Sequence, residues 1–111
     1  LANSDFSGSD LRHSDLSNAN FANSDFSGAN LSKSNCYNAN FRYANLRDSN
    51  LTETNFYNAN LYDVNLRHAK IIKTSFRYAN LSNSTLNGAK IKDAIFSTAF
   101  TENCHGLKIS D

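Results

Sequence analysis

Two cysteines and three histidines are the residues of this 111-residue chain best suited to hold a metal or attack a substrate. Cys104-His105 is a pair of zinc-type ligands, but zinc needs three or four well-placed donors, and no further Cys stands nearby. Cys36 would need exposure and a basic neighbour to act as a reactive thiol. It stands instead where the pattern described below puts a buried apolar residue. Ser is abundant, yet the three His fall at unrelated places and no Gly-rich phosphate loop is present. Asp5 and Asp25 pair two carboxylates at outward positions, without the concave site that acid–base hydrolysis requires. These observations exclude a recognisable catalytic constellation. The expectation is a protein that is not an enzyme and has no cofactor, metal or small-molecule substrate.

Recognition chemistry is better represented. Tyr37 and Tyr57 stand twenty residues apart, with Arg77 next in the same column. Asn18, Asn38 and Asn58 lead up to Tyr78 in the neighbouring column, and Tyr43 and Tyr62 decorate another side beside Arg42. Tyr and Arg are favoured at interfaces, although tyrosines also simply cover β-surface. Lys70, Lys73, Lys90 and Lys92 form a basic patch. Such a patch either binds phosphate or acidic protein or is a solvated charged face that blocks sheet-to-sheet pairing.

These side chains are positioned by a repeat. Phe, Leu, Ile or Cys occupies every fifth position from Leu1 to Phe96. Two residues before each stands Ala, Ser or Thr, with Val64 the only larger side chain, and Asp or Asn lies between in most units. A spacing of five makes no stripe on an α-helix and alternates faces on a flat strand. The chain must therefore turn once per five residues. Small–polar–large reads as three residues of strand, in–out–in. The next two form a corner, with turn chemistry such as Ser7-Gly8 and Asn87-Gly88.

Large residues match at a spacing of fifteen in 9 of 17 pairs and at twenty in 10 of 16, which favours four sides over three only slightly. Two further signs support twenty: the ladder Ala19, Ala39, Ala59, Ala79, Ala99, and the shared corner of Gly8, Gly28 and Gly88. The expected coil is square. His13 and His68 then fall on different sides of it. All the large residues from Leu1 to Phe96 should point inward, the aromatic core being Phe6, Phe21, Phe26, Phe41, Phe56, Phe76 and Phe96, with Cys36 as a small buried hydrophobe.

This pattern resembles the pentapeptide-repeat family, whose consensus runs Ala-(Asp/Asn)-Leu-X-X, over residues 4–98. The resemblance implies an all-β, right-handed quadrilateral parallel β-helix of about five coils. We expect the repeat domain to span 1–99. Beyond it Ile95 and Phe100 stand where Asn or Asp belongs. Residues 100–111 are therefore expected to leave the coil as a short cap, with Gly106 allowing a turn and Leu107 and Ile109 covering the end. The family's best-known members protect gyrase by imitating DNA, which requires a strongly acidic rod. Here the formal net charge is +1, and acids at the between position are confined to Asp5, Asp10, Asp15 and Asp25. The main expectation is a non-catalytic scaffold or protein-interaction module, with DNA mimicry the alternative.

The charges divide unevenly. Residues 1–55 carry four Lys/Arg and six Asp/Glu, and residues 56–111 carry seven and four. A protein partner is expected, not nucleic acid or membrane. Two cysteines are too few for a disulfide framework, so a reducing, cytoplasmic compartment is the default. The chain begins inside its repeat, at Leu1-Ala2-Asn3. It reads as part of a longer protein whose upstream segment covers the first coil, and as a monomer when isolated, guarded by Asp5, Asp10 and Asp15.

Overall fold

The computed structural model describes residues 1–107. Parallel bridges join each between-position residue to the one twenty positions on: Asp5 to Asp25, Asn40 to Asn60, Thr85 to His105. A uniform spacing of twenty makes the coil four-sided, as the alanine ladder indicated. The stacked coils form a rod 35 Å long and 21 Å across.

The backbone pairs both up and down the stack. Phe6 N–H donates to the carbonyl of Asp25 at 2.7 Å, Asp25 N–H to that of Ser4 at 2.9 Å, and the corner amide of Gly8 to Ser27 at 2.9 Å. Within most corners the small residue's amide closes a turn, as Ser9 does onto Phe6 at 3.1 Å. These bonds satisfy the obligatory backbone groups of a coil that has no helix among the described residues.

The expected three-residue strands are mostly absent. A side holds its neighbour through one bridge residue, and among the described residues only β1 (Lys70–Ile72) and β2 (Lys90–Lys92) form strands of three. The reason lies in the between-position side chain. Its Oδ1 accepts the amide two residues on, as in Asn40 from Arg42 at 3.0 Å and Asp25 from Ser27 at 2.9 Å. This Asx turn bends the chain into the corner immediately after the bridge. Lys70 and Lys90 have no such acceptor, and there the ladder runs two residues further, through Ile71–Ile91 and Ile72–Lys92. Ser75 and Thr85 form single bridges without it, so loss of the Asx bond permits the longer strand without compelling it.

Among the described residues each second corner residue but one is left-handed. Seventeen non-glycine residues, from Asn3 (φ 62) to Asn103 (φ 58), share this conformation with Gly8, Gly28 and Gly88. Asn, Asp and Gly tolerate it best, which explains their recurrence at that position. Thr98 is the exception among the described second-corner residues. A β-branched side chain resists positive φ, and there Tyr78 N–H donates to the Thr98 hydroxyl, Oγ1, at 3.2 Å. In the coil before, the matching amide of Asn58 reaches the Arg77 carbonyl at 2.8 Å.

The large residues line the interior as expected, with a departure at the first coil. Leu1 is 75% exposed, and Phe6, Leu11 and Leu16 are only partly buried, because the ladder covers them from one side alone. Phe56, Phe76 and Phe96 stack at centroid distances of 5.5 and 4.8 Å, while Phe21 meets Phe6 and Phe26 edge to face. Inward hydroxyls are satisfied by carbonyls: Ser34 by Leu31 at 2.6 Å, Thr54 by the same carbonyl at 2.8 Å, and Ser84 by Leu61 at 2.7 Å. Small polar residues thus fit the interior without an orphaned group.

The expected departure at residue 100 is corrected. Phe100 bridges Asn80 and His105 bridges Thr85, and the Leu81 and Leu86 amides bond to their carbonyls at 2.7 Å. Backbone pairing does not depend on the side chain, so the coil continues although Asn has given way to Phe and His. Leu107 packs against the core. Ile109, also assigned to the cap, lies outside the described residues.

Candidate interaction surface

One side of the coil displays the outward row Asn20, Asn40, Asn60, Asn80 and Phe100, joined by successive bridges. The corner before it contributes residues 17 and 18 of each twenty, which are Tyr37, Tyr57, Arg77 and Tyr78 in successive coils. The corner after it contributes Arg42, Tyr43 and Tyr62. All five tyrosines of the chain therefore border one face, where the sequence reading had put Tyr43 and Tyr62 on a separate side.

The first rim is a stack of rings. Tyr37 and Tyr57 lie 5.6 Å apart and nearly parallel, and Tyr57 meets Tyr78 edge to face at 5.3 Å. Beside them Asn38 Nδ2 donates to Asn18 Oδ1 at 2.8 Å and Asn58 Nδ2 to Asn38 Oδ1 at 3.0 Å. In the second rim the Arg42 guanidinium lies 4.8 Å from the Tyr43 ring centre and 5.2 Å from that of Tyr62. Its Nη2 also donates to the Tyr43 hydroxyl at 2.9 Å, and Asn83 Nδ2 donates to the Tyr62 hydroxyl at 2.6 Å. Packed rings and a shared guanidinium hold these side chains in place, so little rotamer freedom remains to be lost on binding.

Between the rims a shallow groove of about 750 Å³ runs past Asn60, Asn80, Tyr78, Phe100 and Glu102. Phe100, expected in the cap, is instead 62% exposed on this face. An apolar side chain at an Asn position suggests cover, whereas here it adds a ring to the surface. Alignment of the sequence in rows of twenty carries the signal, placing Phe100 after Asn80 in the same column. Asn60 and Asn80 spend Oδ1 on the Tyr62 and Ser82 amides, at 3.1 and 3.0 Å. Their Nδ2 groups have no partner among the described residues. Arg42 and Arg77 balance Asp63 and Glu102, so the face is neutral.

The reactive groups are dispersed. Cys36 is fully buried, and desolvation pushes its thiol up to about 12 despite the Ser34 hydroxyl 3.7 Å away. Cys104 is half-buried, its thiol raised by burial, and it donates to the Leu81 carbonyl at 3.3 Å. Among the described residues no three His, Cys, Asp or Glu side chains are grouped to hold a metal, and no helix is long and apolar enough to cross a membrane. Lys70, Lys73, Lys90 and Lys92 gather on the side opposite the tyrosines.

A model of the pentapeptide repeat region matches residues 19–96, and one of pentapeptide repeats (8 copies) matches residues 1–35. No curated protein matches the chain. Among solved structures it is similar to HetL of the cyanobacterium Nostoc sp. strain PCC 7120, a pentapeptide repeat protein involved in heterocyst differentiation regulation. That likeness has 29% identity and a TM-score of 0.70 over 78% of this chain and 39% of HetL. Rfr23 of Cyanothece 51142 gives 28% and 0.76 over 78% and 58%. A pentapeptide repeat protein of the Arabidopsis thaliana thylakoid lumen gives 28% and 0.63 over 89% and 66%. The chain thus spans less than two thirds of each of these three proteins. Their fold is the right-handed β-helix. With a matching repeat region over most of its length and twenty-residue square coils throughout, this chain belongs to the pentapeptide-repeat family.

Proposed function

We propose that this chain is a non-catalytic interaction module whose protein partner docks on the face bordered by the five tyrosines. The observation that carries this reading is their gathering on one neutral side, around an open row of Asn amides and the exposed Phe100. Ordered Tyr, Arg and Asn side chains around a groove are the composition of recognition surfaces. The involvement of HetL in regulating differentiation is in keeping with a module that acts through contacts. The charge distribution does not favour DNA mimicry, since the outward acids of the between position stop at Asp25 and the net charge is +1.

The test is site-specific photocrosslinking in an extract of the source cells. A photoreactive phenylalanine replaces Tyr57, Tyr62 or, on the opposite side, Asn30. A discrete adduct from positions 57 and 62 only, competed by the unmodified chain and not by its Tyr57→Ala/Tyr62→Ala variant, is the expected result. Equal labelling from all three positions, or none, would refute the face.

A further inference from the structure

Two sides around the coil from the tyrosines, the outward row runs Asp10, Asn30, Asn50, Lys70, Lys90. The first three obey the repeat, and Asp10, Asn30 and Asn50 each cap their own corner through Oδ1 at 3.0–3.2 Å. The last two break it. Lys70 and Lys90 are direct partners in the β1–β2 register and both are exposed. Parallel neighbours lie about 4.8 Å apart, so two like charges project from adjacent positions of one face, an arrangement that is destabilising in itself. Lys92 and Lys73 adjoin them at the next corner, where the Lys73 amide bonds to the Lys92 carbonyl at 2.9 Å. The salt bridges among the described residues, Arg12–Asp10 and Arg47–Asp48, involve none of these four lysines. The nearest acids in the lysine corner, Glu53 and Asp93, stand one coil before and after Lys73.

A pair of positions that gives up two corner bonds and stacks like charges is a local conflict of the kind found at functional sites. We propose that the β1–β2 face binds an acidic polypeptide segment, whose carboxylates neutralise Lys70, Lys90, Lys92 and Lys73 together. Charge complementarity fixes the sign of the occupant. Patch size fixes its class: the lysines cover two coils, with Arg67 beside them, and below them the row is Asn50, Asn30 and Asp10. In the flanking corners Arg12 and Arg47 are paired with Asp10 and Asp48, and Glu53 separates Lys33 from Lys73, so no continuous basic stripe runs along the rod as a nucleic-acid backbone would need. A membrane surface would call for exposed apolar side chains beside the cations, and here only the partly buried Ile72 and Ile91 are present. The site is separate from the tyrosine face and does not depend on it, which gives the module two opposed contacts.

The test is fluorescence anisotropy of a labelled short polyglutamate peptide titrated with the full chain. Duplex DNA and anionic phosphatidylserine vesicles serve as alternative probes. Saturable peptide binding is expected, weakening about tenfold or more when salt is raised from low to above physiological strength. The variant Lys70→Asn/Lys90→Asn restores the repeat residue at both positions, so it folds, and it should lose about tenfold in affinity. An Arg12→Asn/Lys33→Asn variant, which removes the same charge from the far end of that side, should bind within about twofold of the parent. Absence of peptide binding at low salt, equal loss in the two variants, or tighter binding of DNA or vesicles would each overturn the proposal. None of these readouts involves a tyrosine, so failure here is distinguishable from failure of the tyrosine face.

Discussion

Tyr57 and Tyr78 meet edge to face with ring centres 5.3 Å apart, although they occupy different columns of the same corner. Such pairs contribute about 0.5–1.5 kcal/mol beyond area burial. A double-mutant cycle with Tyr57→Ala and Tyr78→Ala should give a coupling near the low end of that range, because both rings are partly solvated. Tyr78→Gly should destabilise less than Tyr78→Ala, since residue 78 has φ 57 and glycine adopts that conformation freely. Urea unfolding of the four chains and the glycine variant measures both; additive single effects would remove the pairing.

Phe76 lies between Phe56 and Phe96, stacked on each. Truncation leaves a void that the coil, hydrogen-bonded above and below, has little freedom to close. Phe76→Ala should cost about 3–5 kcal/mol, and Phe76→Leu, a residue the repeat uses freely, much less. A similar unfolding midpoint for both would show that the ladder collapses around the gap.

Thr98 interrupts the left-handed corners. Thr98→Asn should let the corner adopt positive φ and let the Tyr78 amide donate to the Ser97 carbonyl, as the Asn58 amide does to Arg77 one coil earlier, raising stability by about 0.5–1 kcal/mol. Thermal unfolding would show the gain; a loss would mean that the Thr98 hydroxyl bond matters more than the corner.

Asp15 has its carboxyl held below the usual range by the Ser17 hydroxyl, 2.6 Å away, and then by the Ser17 amide. A lowered native pKa means that its contribution is present above the unfolded value of 3.8 and is lost as pH falls through the native one. Asp15→Asn keeps an Oδ1 for the corner. Its melting temperature should match the parent at pH 7 and decline less on acidification to pH 3. Parallel curves would show that this carboxylate is uncoupled from folding.

Cys36 titrates in the opposite sense. Burial raises its thiol from 9.0 to about 12 in the folded coil, so the folded state keeps a proton that the unfolded chain releases. Its contribution is full below pH 9 and falls by about 1.4 kcal/mol per unit as pH rises towards 12. Cys36→Ala will be less stable at neutral pH, and the difference from the parent should shrink through that window. Thiol labelling at pH 8 should modify Cys104 before Cys36; equal rates would contradict the burial.

The sequence by itself determined the coil. A large side chain every fifth residue, a small one two before it and Asx between leave a chain only one way to bury its apolar set, because neither a helix nor a flat strand brings Phe6, Leu11, Leu16 and Phe21 to one interior. The twenty-residue alanine and glycine ladders then chose four sides. The left-handed corners were written in the same rows as Asn, Asp and Gly, but that signal becomes legible only once the corner is known. What the tertiary structure decided depends on neighbours remote in the chain. Tyr43 and Tyr37 share a face because two corners flank one side, a relation that emerges only when the coil is closed. Phe100 stays on the coil because backbone pairing with Asn80 does not consult the side chain. Side-chain type governs which face a residue prefers, while the hydrogen-bond ladder governs where the chain stops turning, and only the second is settled by contacts with the coil beneath.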